Sequence, residues 1–354
     1  MTEKQYGDLK IVWHPEKLQA LREGVVTAPI HVRLKPTNAC NHNCDYCIYH
    51  DVDQIHEEMS MRDLIPPAKM AEIISDFREM GVKATTFSGG GEPLVYPHIV
   101  RTLEQTLEAG IDLAMNTNGQ RLKGSAAELL AMGKWVRVSC DSVGAETYAE
   151  TRRISINAFG EVVDNIRQFT KIDGRTAALN INFVVTEKNQ ARVYNAVGFF
   201  KDLGVNNIKF TPVWSPQFFD YHAPFVNEVR DQIARARSEF EGEGFSVADT
   251  YEDDFSATAS CERQYGKCQV MQVNPVIGAD ETVYFCHNKA YSADGKLGSI
   301  KDCSFRDLWF GPEAAEIFKT FDPREGCKHQ CTGDPKNIAT AAMIACAGKD
   351  ENFA

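Results

Sequence analysis

The sequence lacks any long apolar run and has no apolar segment near its amino terminus. Residues 1–10 are polar, and no stretch reaches the roughly 20 apolar residues that a membrane-spanning helix needs. We therefore expect a cytoplasmic protein without a membrane partner.

Positive charge is also scarce. The chain has 38 Lys and Arg against 49 Asp and Glu, a formal net charge of -11 and a pI of about 5.4. A protein that binds nucleic acid through its phosphates concentrates Lys and Arg on its surface. The acidic balance argues against a nucleic-acid partner and leaves room only for a local basic pocket.

Low-complexity tracts and convincing internal repeats are absent as well. The hydrophobic fraction of 43% and the charged fraction of 25% are typical of a globular chain. A chain of 354 residues can bury a large core, as one α/β domain with an appendage or as two domains.

Cysteine, in contrast, is abundant, with 11 residues. Without an export signal the thiols are expected to stay reduced, which favours metal binding or catalysis over disulfides. Three cysteines lie between residues 40 and 47, Cys140 stands alone, and the other seven lie between 261 and 346. This distribution indicates two cysteine-dependent sites.

Between residues 30 and 212, short β-rich runs alternate with longer helical patterns. Six such units predict a parallel sheet, because parallel neighbours need a crossover that is usually a helix. The predicted strands are 30–35, 84–89, 112–117, 135–140, 180–185 and 207–212, and the predicted helices are 66–80, 97–110, 125–132, 159–172 and 189–204.

The expected fold is α/β, a partial (β/α)6 TIM-like barrel with a small C-terminal α+β domain. Residues 269–288 predict a β-hairpin around "GADE". In such barrels the reactive loops lie at the carboxyl ends of strands, and the cysteine loop follows the first strand. The predicted divisions are a lead-in at 1–29, the barrel core at 30–225, a connecting helix at 226–254 and the C-terminal domain at 255–354.

The loop "CNHNCDYC" carries Cys40, Cys44 and Cys47 in a C-x3-C-x2-C pattern. A structural zinc needs four ligands, which His42 or His50 would complete, but the paired C-x2-C halves of common zinc modules are missing. An iron–sulfur cluster bound by three thiolates would leave one iron open to a substrate. Read by itself, the loop leaves both possibilities open.

The loop resembles the signature of the radical S-adenosylmethionine (SAM) enzymes, in which an aromatic residue, here Tyr46, precedes the last cysteine. The resemblance implies that Cys40, Cys44 and Cys47 hold a 4Fe-4S cluster whose open iron binds SAM. Reductive cleavage of SAM would yield a 5′-deoxyadenosyl radical. It also implies a reducing partner such as flavodoxin or ferredoxin.

Other motifs of this family match the predicted strand ends. "SGGGEPL" (88–94) resembles the motif that binds the amino group of SAM, and its glycines permit close backbone approach. In "VSCDS" (138–142), alternation directs Ser139 and Asp141 to one face and Cys140 to the other. The SAM-binding residues that the resemblance implies are Tyr46, Gly90, Gly91, Glu92, Asn118, Ser139, Asp141, Arg152 and the backbone at Val184, with Arg152 preferred to Arg153.

The C-terminal cysteines resemble the auxiliary-cluster domains called twitch and SPASM. A cysteine on each side of a hairpin, followed by a close pair, would ligate a second 4Fe-4S cluster. The implied ligands are Cys268, Cys286, Cys327 and Cys331. Cys303 is expected to pack. Cys346 is expected to be a small apolar residue of the terminal helix, with a ligand role left open. Cys261 is open to three roles: a ligand, a bystander, or a catalytic thiol that returns a hydrogen atom to a substrate radical.

Two fates of the substrate follow from these sites. An auxiliary cluster that accepts an electron gives net oxidation, whereas a hydrogen-donating Cys261 gives epimerisation. Only 39 residues precede Cys40, too few for a peptide leader-binding domain, so the first expectation is a polar small molecule of sugar, aminoglycoside or nucleoside type. A peptide is the second, and a zinc or electron-transfer protein is a remote alternative.

Overall fold

The computed structural model describes residues 7–49, 59–215, 217–251, 262–329, 331 and 333–346. Within them, ten strands form a single sheet. The strands are β1 His31–Leu34, β2 Ala84–Phe87, β3 Asp112–Thr117, β4 Trp135–Ser139, β5 Ala178–Val185, β6 Asn207–Pro212, β7 Ser246–Asp249, β8 Val276–Ile277, β9 Thr282–Tyr284 and β10 Lys296–Ser299.

The described helices mostly cross between these strands. They are α1 Pro15–Glu23, α2 Pro67–Met80, α3 Ile99–Glu108, α4 Gly124–Ala131, α5 Ala145–Arg152, α6 Asn157–Thr170, α7 Val193–Asp202, α8 Phe218–His222, α9 Val226–Phe240, α10 Phe305–Trp309, α11 Pro312–Thr320, α12 Pro323–Gly326 and α13 Asp334–Cys346. None of these helices combines the length and the apolar character that crossing a membrane requires.

Neighbouring strands from β1 to β7 pair in parallel, in sequence order. All six predicted strands are present, and the expected α/β barrel-type fold is confirmed. The sheet extends further than the six predicted units. The segment 226–254 contains β7 as well as helix α9, and β7 adds a seventh parallel strand beside β6.

The predicted C-terminal hairpin is also present, since β8 and β9 pair antiparallel. Strand β8 pairs in parallel with β1, so the hairpin and β10 extend the barrel sheet beyond its first strand. This placement brings the C-terminal segment beside the strand that precedes the cysteine loop.

Apolar packing attaches the C-terminal segment to the first β/α unit. Phe305 on α10 meets Phe77 on α2 edge to face, with ring centroids 5.5 Å apart. The Trp309 indole donates a hydrogen bond to the Thr27 carbonyl at 3.0 Å. All three aromatic side chains are fully buried, and complete burial of a large apolar side chain contributes about 1.5–3 kcal/mol.

Alternation along the strands separates the two faces of the barrel. In β1 and β4 the apolar Val32, Leu34, Val136 and Val138 are fully buried against the helices. The intervening side chains, which include Arg33 and Arg137, point to the opposite, inner face. The inner face is therefore partly polar.

Candidate functional site

The loops that follow β1 to β4 converge at one edge of the sheet. Because carboxyl ends of parallel strands share an edge, the cysteine loop, "GGGEP", "NTNG" and "SCDS" lie together. Most of the proposed SAM-binding residues are in these loops.

The cysteine loop is fixed by backbone hydrogen bonds to the end of α5. The amide of Asn43 donates to the Arg152 carbonyl at 3.1 Å, and that of Asp45 donates to the Thr151 carbonyl at 3.0 Å. The helix that carries Arg152 thus positions the loop that carries the three cysteines.

Cys40, Cys44 and Cys47 are partly exposed. Burial raises the pKa of Cys40 to about 12, and the neighbouring charges of Glu92, Cys44 and Cys47 add to this rise. The three thiols are therefore close enough for their charges to interact. Such a set must lose its protons when it binds a metal centre.

The glycine-rich loop packs directly against the start of the cysteine loop. A Cβ at Gly91 would lie 2.0 Å from the Ala39 carbonyl oxygen, and one at Gly90 would lie 2.1 Å from the Asn38 Oδ1. A backbone hydrogen bond from the Glu92 amide to the Ala39 carbonyl, 2.9 Å long, joins the two loops. Only residues without a side chain fit this contact.

Glu92 is buried and accepts hydrogen bonds from three groups. Its Oε1 accepts from the Leu94 amide at 3.0 Å and from the Thr117 hydroxyl at 2.7 Å, and its Oε2 accepts from the Asn118 amide at 2.6 Å. Burial raises the pKa of Glu92, and these donors oppose the rise. The carboxylate links the ends of β2 and β3.

At the end of β4, Arg152 forms a buried ion pair with Asp141. The guanidinium donates from Nε at 3.1 Å and from Nη2 at 2.8 Å to Asp141 Oδ1, and Nη2 also donates to the Ser139 carbonyl at 3.0 Å. Cys140 points away and is fully buried in the core. Arg153 is exposed, in a left-handed conformation with φ 48°.

Tyr46 lies beside this ion pair. Its ring centroid is 5.6 Å from the Arg152 guanidinium. Burial raises the pKa of the Tyr46 phenol, whereas the Arg152 charge opposes the rise. The aromatic residue of the cysteine loop and the preferred arginine therefore meet.

Asn118 follows β3 and Val184 lies near the end of β5, so both lie at the carboxyl edge of the sheet. The Asn118 side-chain Nδ2 donates to Asn41 Oδ1 at 2.8 Å, which joins the end of β3 to the cysteine loop. The Val184 carbonyl accepts from Asn189 Nδ2 at 2.8 Å, and that amide also donates to the Asp141 carbonyl at 2.9 Å. Asn189 thus ties the ends of β4 and β5 together.

A cavity of about 380 Å³ opens between the cysteine loop and the ends of β5 and β6. Its walls include Tyr46, Lys188, Trp214 and Tyr221. His222, in contrast, is fully buried among aromatic rings, with its Nε2 2.9 Å from the Val213 carbonyl oxygen and its Nδ1 3.2 Å from the Tyr251 hydroxyl. Of the aromatic residues after β6, Trp214 and Tyr221 face the open space.

The four C-terminal cysteines form a second group. Burial raises the pKa of Cys286 to about 12, and the charges of Cys268, Cys331 and Cys327 contribute to that rise. Asn337 on α13 donates to the Cys268 sulfur at 3.4 Å, and the Gly333 amide donates to the Cys331 sulfur at 3.3 Å. The two cysteines beside the hairpin, Cys268 and Cys286, thus lie near the C-terminal pair, Cys327 and Cys331.

Lys35 contacts two tyrosines, one just after the cysteine loop and one in the C-terminal segment. This fully buried side chain donates to the Tyr49 hydroxyl at 2.7 Å, and its ammonium lies 4.7 Å from the Tyr291 ring centroid. The Tyr291 hydroxyl donates to Asn38 Oδ1 at 2.5 Å. Tyr291 follows the hairpin and Asn38 precedes Cys40, so the C-terminal segment contacts the base of the cysteine loop.

The remaining histidines and cysteines that the sequence singled out lie in different surroundings. Cys261 and His50 lie outside the described residues, and nothing structural is assigned to them. His42 is buried with its Nε2 3.0 Å from Gln120 Oε1. Cys303 is partly buried against the core. Cys346 is expected as a small apolar residue of the terminal helix, but it is exposed at the end of α13.

Reasoning from motifs missed Arg33, Lys35, Arg137 and Asn189. The first three follow from strand alternation. In "IHVRLK" the polar His31, Arg33 and Lys35 share one face, opposite Val32 and Leu34, and this pattern would have directed them into the barrel. Asn189 had no such signal, because its three hydrogen bonds depend on how the loop after β5 folds.

The residues present suit iron–sulfur chemistry. Among the residues that the structure describes, no three His, Cys, Asp or Glu side chains converge to hold a single metal ion. The donor set consists of thiols, in one group of three and one of four, and iron–sulfur clusters bind thiolates on separate irons. The glycine contact and the buried acceptor Glu92 lie beside the group of three.

The family model described as the Radical SAM superfamily matches residues 34–211, half of the chain. A second, described as an iron–sulfur cluster-binding domain and named SPASM, matches residues 268–332. These ranges contain the group of three cysteines and the four C-terminal candidates, respectively.

Among curated relatives, a probable GTP 3',8-cyclase of Saccharolobus islandicus is 29% identical over 179 residues, 50% of this chain. The match spans 54% of that relative's length. A probable GTP 3',8-cyclase of Sulfurisphaera tokodaii is 25% identical over 286 residues, 78% of this chain and 81% of its own.

Among solved structures, Streptococcus suis SuiB bound to S-adenosylmethionine superposes with a TM-score of 0.65 at 14% identity. The superposition covers 95% of this chain and 77% of SuiB, and it shows a shared fold. Its cofactors are therefore SAM, the 4Fe-4S cluster that binds SAM, and an auxiliary iron–sulfur cluster. The chain belongs to the radical SAM superfamily and carries a C-terminal SPASM iron–sulfur domain.

Proposed function

We propose that this enzyme removes a hydrogen atom from a C–H bond of a polar small molecule, of sugar, aminoglycoside or nucleoside type, and oxidises it. When bound, the clusters and SAM supply a 5′-deoxyadenosyl radical and an acceptor for the second electron. The polar inner face of the barrel is the observation that supports this substrate class.

In this proposal Cys40, Cys44 and Cys47 ligate the SAM-binding cluster. Gly90 and Gly91 let the backbone after β2 approach SAM, and Glu92 accepts from its amino group. Tyr46 packs against the cofactor, and Asn118, Ser139 and the Val184 backbone line its pocket. The Arg152–Asp141 pair places one charge of each sign at the pocket wall. The guanidinium would bind the SAM carboxylate, and the Asp141 carboxylate would accept a hydrogen bond from the ribose.

Cys268, Cys286, Cys327 and Cys331 are the proposed ligands of the auxiliary cluster. Their support is the mutual influence of their thiols and the contact of this segment with the base of the cysteine loop. A cluster placed there would lie near the barrel interior, where an oxidised product forms.

The barrel interior supports the substrate class because it offers hydrogen-bonding groups. Asn182 on β5 accepts from the Thr211 hydroxyl on β6 at 3.0 Å, and Ser139 shares the inner face with Asn182 through the strand register. Amide and hydroxyl groups of this kind recognise hydroxyl-rich ligands. The relatives named as GTP 3',8-cyclases bear the name of a nucleoside triphosphate substrate, which agrees with the nucleoside choice.

Turnover in deuterium oxide tests the proposed oxidation. Anaerobic reactions with candidate sugars, aminoglycosides and nucleotides should give a product two hydrogens lighter that contains no solvent deuterium at carbon. An isomeric product that has gained deuterium would instead support a thiol donor such as Cys261 and would overturn oxidation. Modification of peptides alone would overturn the small-molecule class.

A further inference from the structure

Asn337 lies in the first turn of α13, against the first of the four proposed ligands of the auxiliary cluster. Its side chain is buried, with 1% of the residue exposed. The Nδ2 group donates to the Cys268 sulfur at 3.4 Å and to the Tyr265 hydroxyl at 3.3 Å. One buried amide group therefore faces both a sulfur and a phenol.

The backbone that follows Cys268 fixes the orientation of this amide. The Asn337 Oδ1 accepts from the Gln269 amide at 2.7 Å and from the Val270 amide at 3.0 Å. If the amide were turned over, its own N–H groups would face these two donors. The oxygen therefore holds the backbone after the cysteine, and the N–H groups are directed to the other side, where the sulfur lies.

A small network of side chains engages one of the two N–H groups. The Tyr265 hydroxyl donates to Asp334 Oδ1, so its oxygen accepts from Asn337 Nδ2. Asp334 also pairs with Arg263, whose Nε lies 3.5 Å from its Oδ1. Because one N–H group is engaged by the phenol, the other is directed to Cys268.

A second N–H donor at the same end of α13 contacts another proposed ligand. The Gly333 amide, directly before the helix, donates to the Cys331 sulfur at 3.3 Å. The amino-terminal end of a helix carries the positive end of its dipole, so it stabilises negative charge nearby. Hydrogen bonds to two of the four proposed sulfur ligands thus come from the beginning of one helix.

We infer that Asn337 positions Cys268 as a ligand and raises the reduction potential of the auxiliary cluster. Reduction adds one negative charge to a cluster held by four thiolates, and N–H donors at the sulfurs stabilise that charge. The hydrogen bond from Asn337 therefore makes reduction more favourable. The inference rests on the proposed function, because it concerns the cluster that accepts an electron in the proposed oxidation.

A redox titration followed by electron paramagnetic resonance tests the inference without turnover. The anaerobically reconstituted holoenzyme is titrated without SAM. The triple variant that lacks the three cysteines of the cysteine loop identifies the signal of the auxiliary cluster. The variant of interest is Asn337→Asp, which keeps an oxygen for the Gln269 and Val270 amides and replaces the N–H donor by a carboxylate oxygen.

The expected effect of Asn337→Asp depends on pH. At about pH 8.5, one-electron reduction should be at least tenfold less favourable than in the wild type, which is a midpoint potential lower by about 59 mV or more. The cause is the repulsion between the carboxylate and the added charge. Towards pH 6 the difference should shrink, because reduction then favours protonation of the carboxyl group, which restores a donor.

Two further variants provide the control and a conservative replacement. Thr340 is buried about one turn further along α13 and donates no hydrogen bond to a cysteine sulfur among the described residues. Thr340→Val should therefore keep the midpoint potential and the iron content of the wild type. Asn337→Gln retains an amide on a longer side chain, so its midpoint potential should lie between those of the wild type and Asn337→Asp.

An unchanged midpoint potential in Asn337→Asp across this pH range, with the auxiliary iron retained, would overturn the inference. Loss of the auxiliary iron from both Asn337→Asp and Asn337→Gln would also overturn it, because Asn337 would then only hold the ligand loop. Iron analysis separates these results from failure of the proposed function. Absence of iron from the triple variant would refute the four-cysteine ligand set itself, together with this inference.

Discussion

Arg152 and Asp141 are joined by a buried ion pair in which two guanidinium nitrogens reach one carboxylate oxygen, at 3.1 and 2.8 Å. Their side chains are 4% and 1% exposed. The same Arg152 carries the backbone carbonyl to which the cysteine loop is bound. The pair therefore couples the end of β4 to the geometry of Cys40, Cys44 and Cys47.

Breaking this pair should destabilise the protein strongly. Arg152→Met leaves the Asp141 carboxylate buried and uncompensated, so we expect the free energy of unfolding to fall by about 3–5 kcal/mol. Urea unfolding of the anaerobically prepared protein measures it. The double variant Arg152→Met with Asp141→Asn should recover part of the loss, since no buried charge remains.

The neighbouring Arg153 provides the control. It is exposed, and Arg153→Met should change the free energy of unfolding by no more than about 0.5 kcal/mol. Equal losses in the two single variants would show that the buried pair does not govern stability at this strand end.

The contact between the glycine-rich loop and the cysteine loop predicts a sharp difference between two glycines. A Cβ at Gly91 would meet the Ala39 carbonyl oxygen at 2.0 Å, whereas one at Gly160, inside α6, would meet nothing within 4 Å. Gly91→Ala should reduce SAM binding at least tenfold, because the loops must separate. Gly160→Ala should bind SAM normally and gain about 0.5–1 kcal/mol of stability from helix propensity.

Equilibrium binding of SAM and urea unfolding of both variants provide the measurement. Normal SAM affinity in Gly91→Ala would mean that the close approach of the two loops has no part in binding the cofactor.

His31 predicts a pH dependence of stability. Burial, with Arg33 and Lys336, lowers the pKa of His31 from 6.5 to about 3. As the pH falls below about 6.5, the unfolded chain binds a proton at this histidine that the folded chain does not bind. The free energy of unfolding should therefore decrease over the window from about 6.5 down to 3, by at most about 1.4 kcal/mol per pH unit.

Urea unfolding at several values between pH 7.5 and 5.5 measures that slope. His31→Gln should flatten it, because the group that binds the additional proton in the unfolded chain is removed. A slope that stays the same in His31→Gln would assign the pH dependence to other groups.

The auxiliary site predicts a separable loss of iron. Cys268→Ala should lower the iron content by about four atoms per chain, since one ligand of a 4Fe-4S cluster is gone, while reductive cleavage of SAM continues. Iron analysis, together with the yield of 5′-deoxyadenosine, provides the measurement. Cys346→Ala removes an exposed thiol with no proposed ligand role and should retain the iron of the wild type. Full iron in Cys268→Ala would remove Cys268 from the ligand set.

The barrel could be predicted because each of its strands has a strong local signal. β-rich runs such as "WVRVSC" alternate with amphipathic helices, and the crossover rule then fixes parallel pairing. Strand β7 was not predicted, because "SVAD" is short and polar and pairs only with the edge of β6. Helix α5 was not predicted either, because Ala145–Arg152 has little apolar periodicity.

The candidate site was predictable where a motif has a fixed place at a strand end, as for the cysteine loop and "GGGEP". Relationships across the fold were not. The pairing of Arg152 with Asp141, the contact of Tyr291 with Asn38 and the addition of β8 beside β1 join segments up to 253 residues apart. Such contacts depend on packing, which no local pattern encodes.

The direct test of the radical chemistry is the yield of 5′-deoxyadenosine from SAM, after anaerobic reconstitution and reduction with dithionite. The wild type and Cys346→Ala should form it, and the triple variant with Cys40, Cys44 and Cys47 replaced by Ala should form none while keeping the auxiliary iron. Formation of 5′-deoxyadenosine by the triple variant would contradict the assignment of these three cysteines to the SAM-binding cluster.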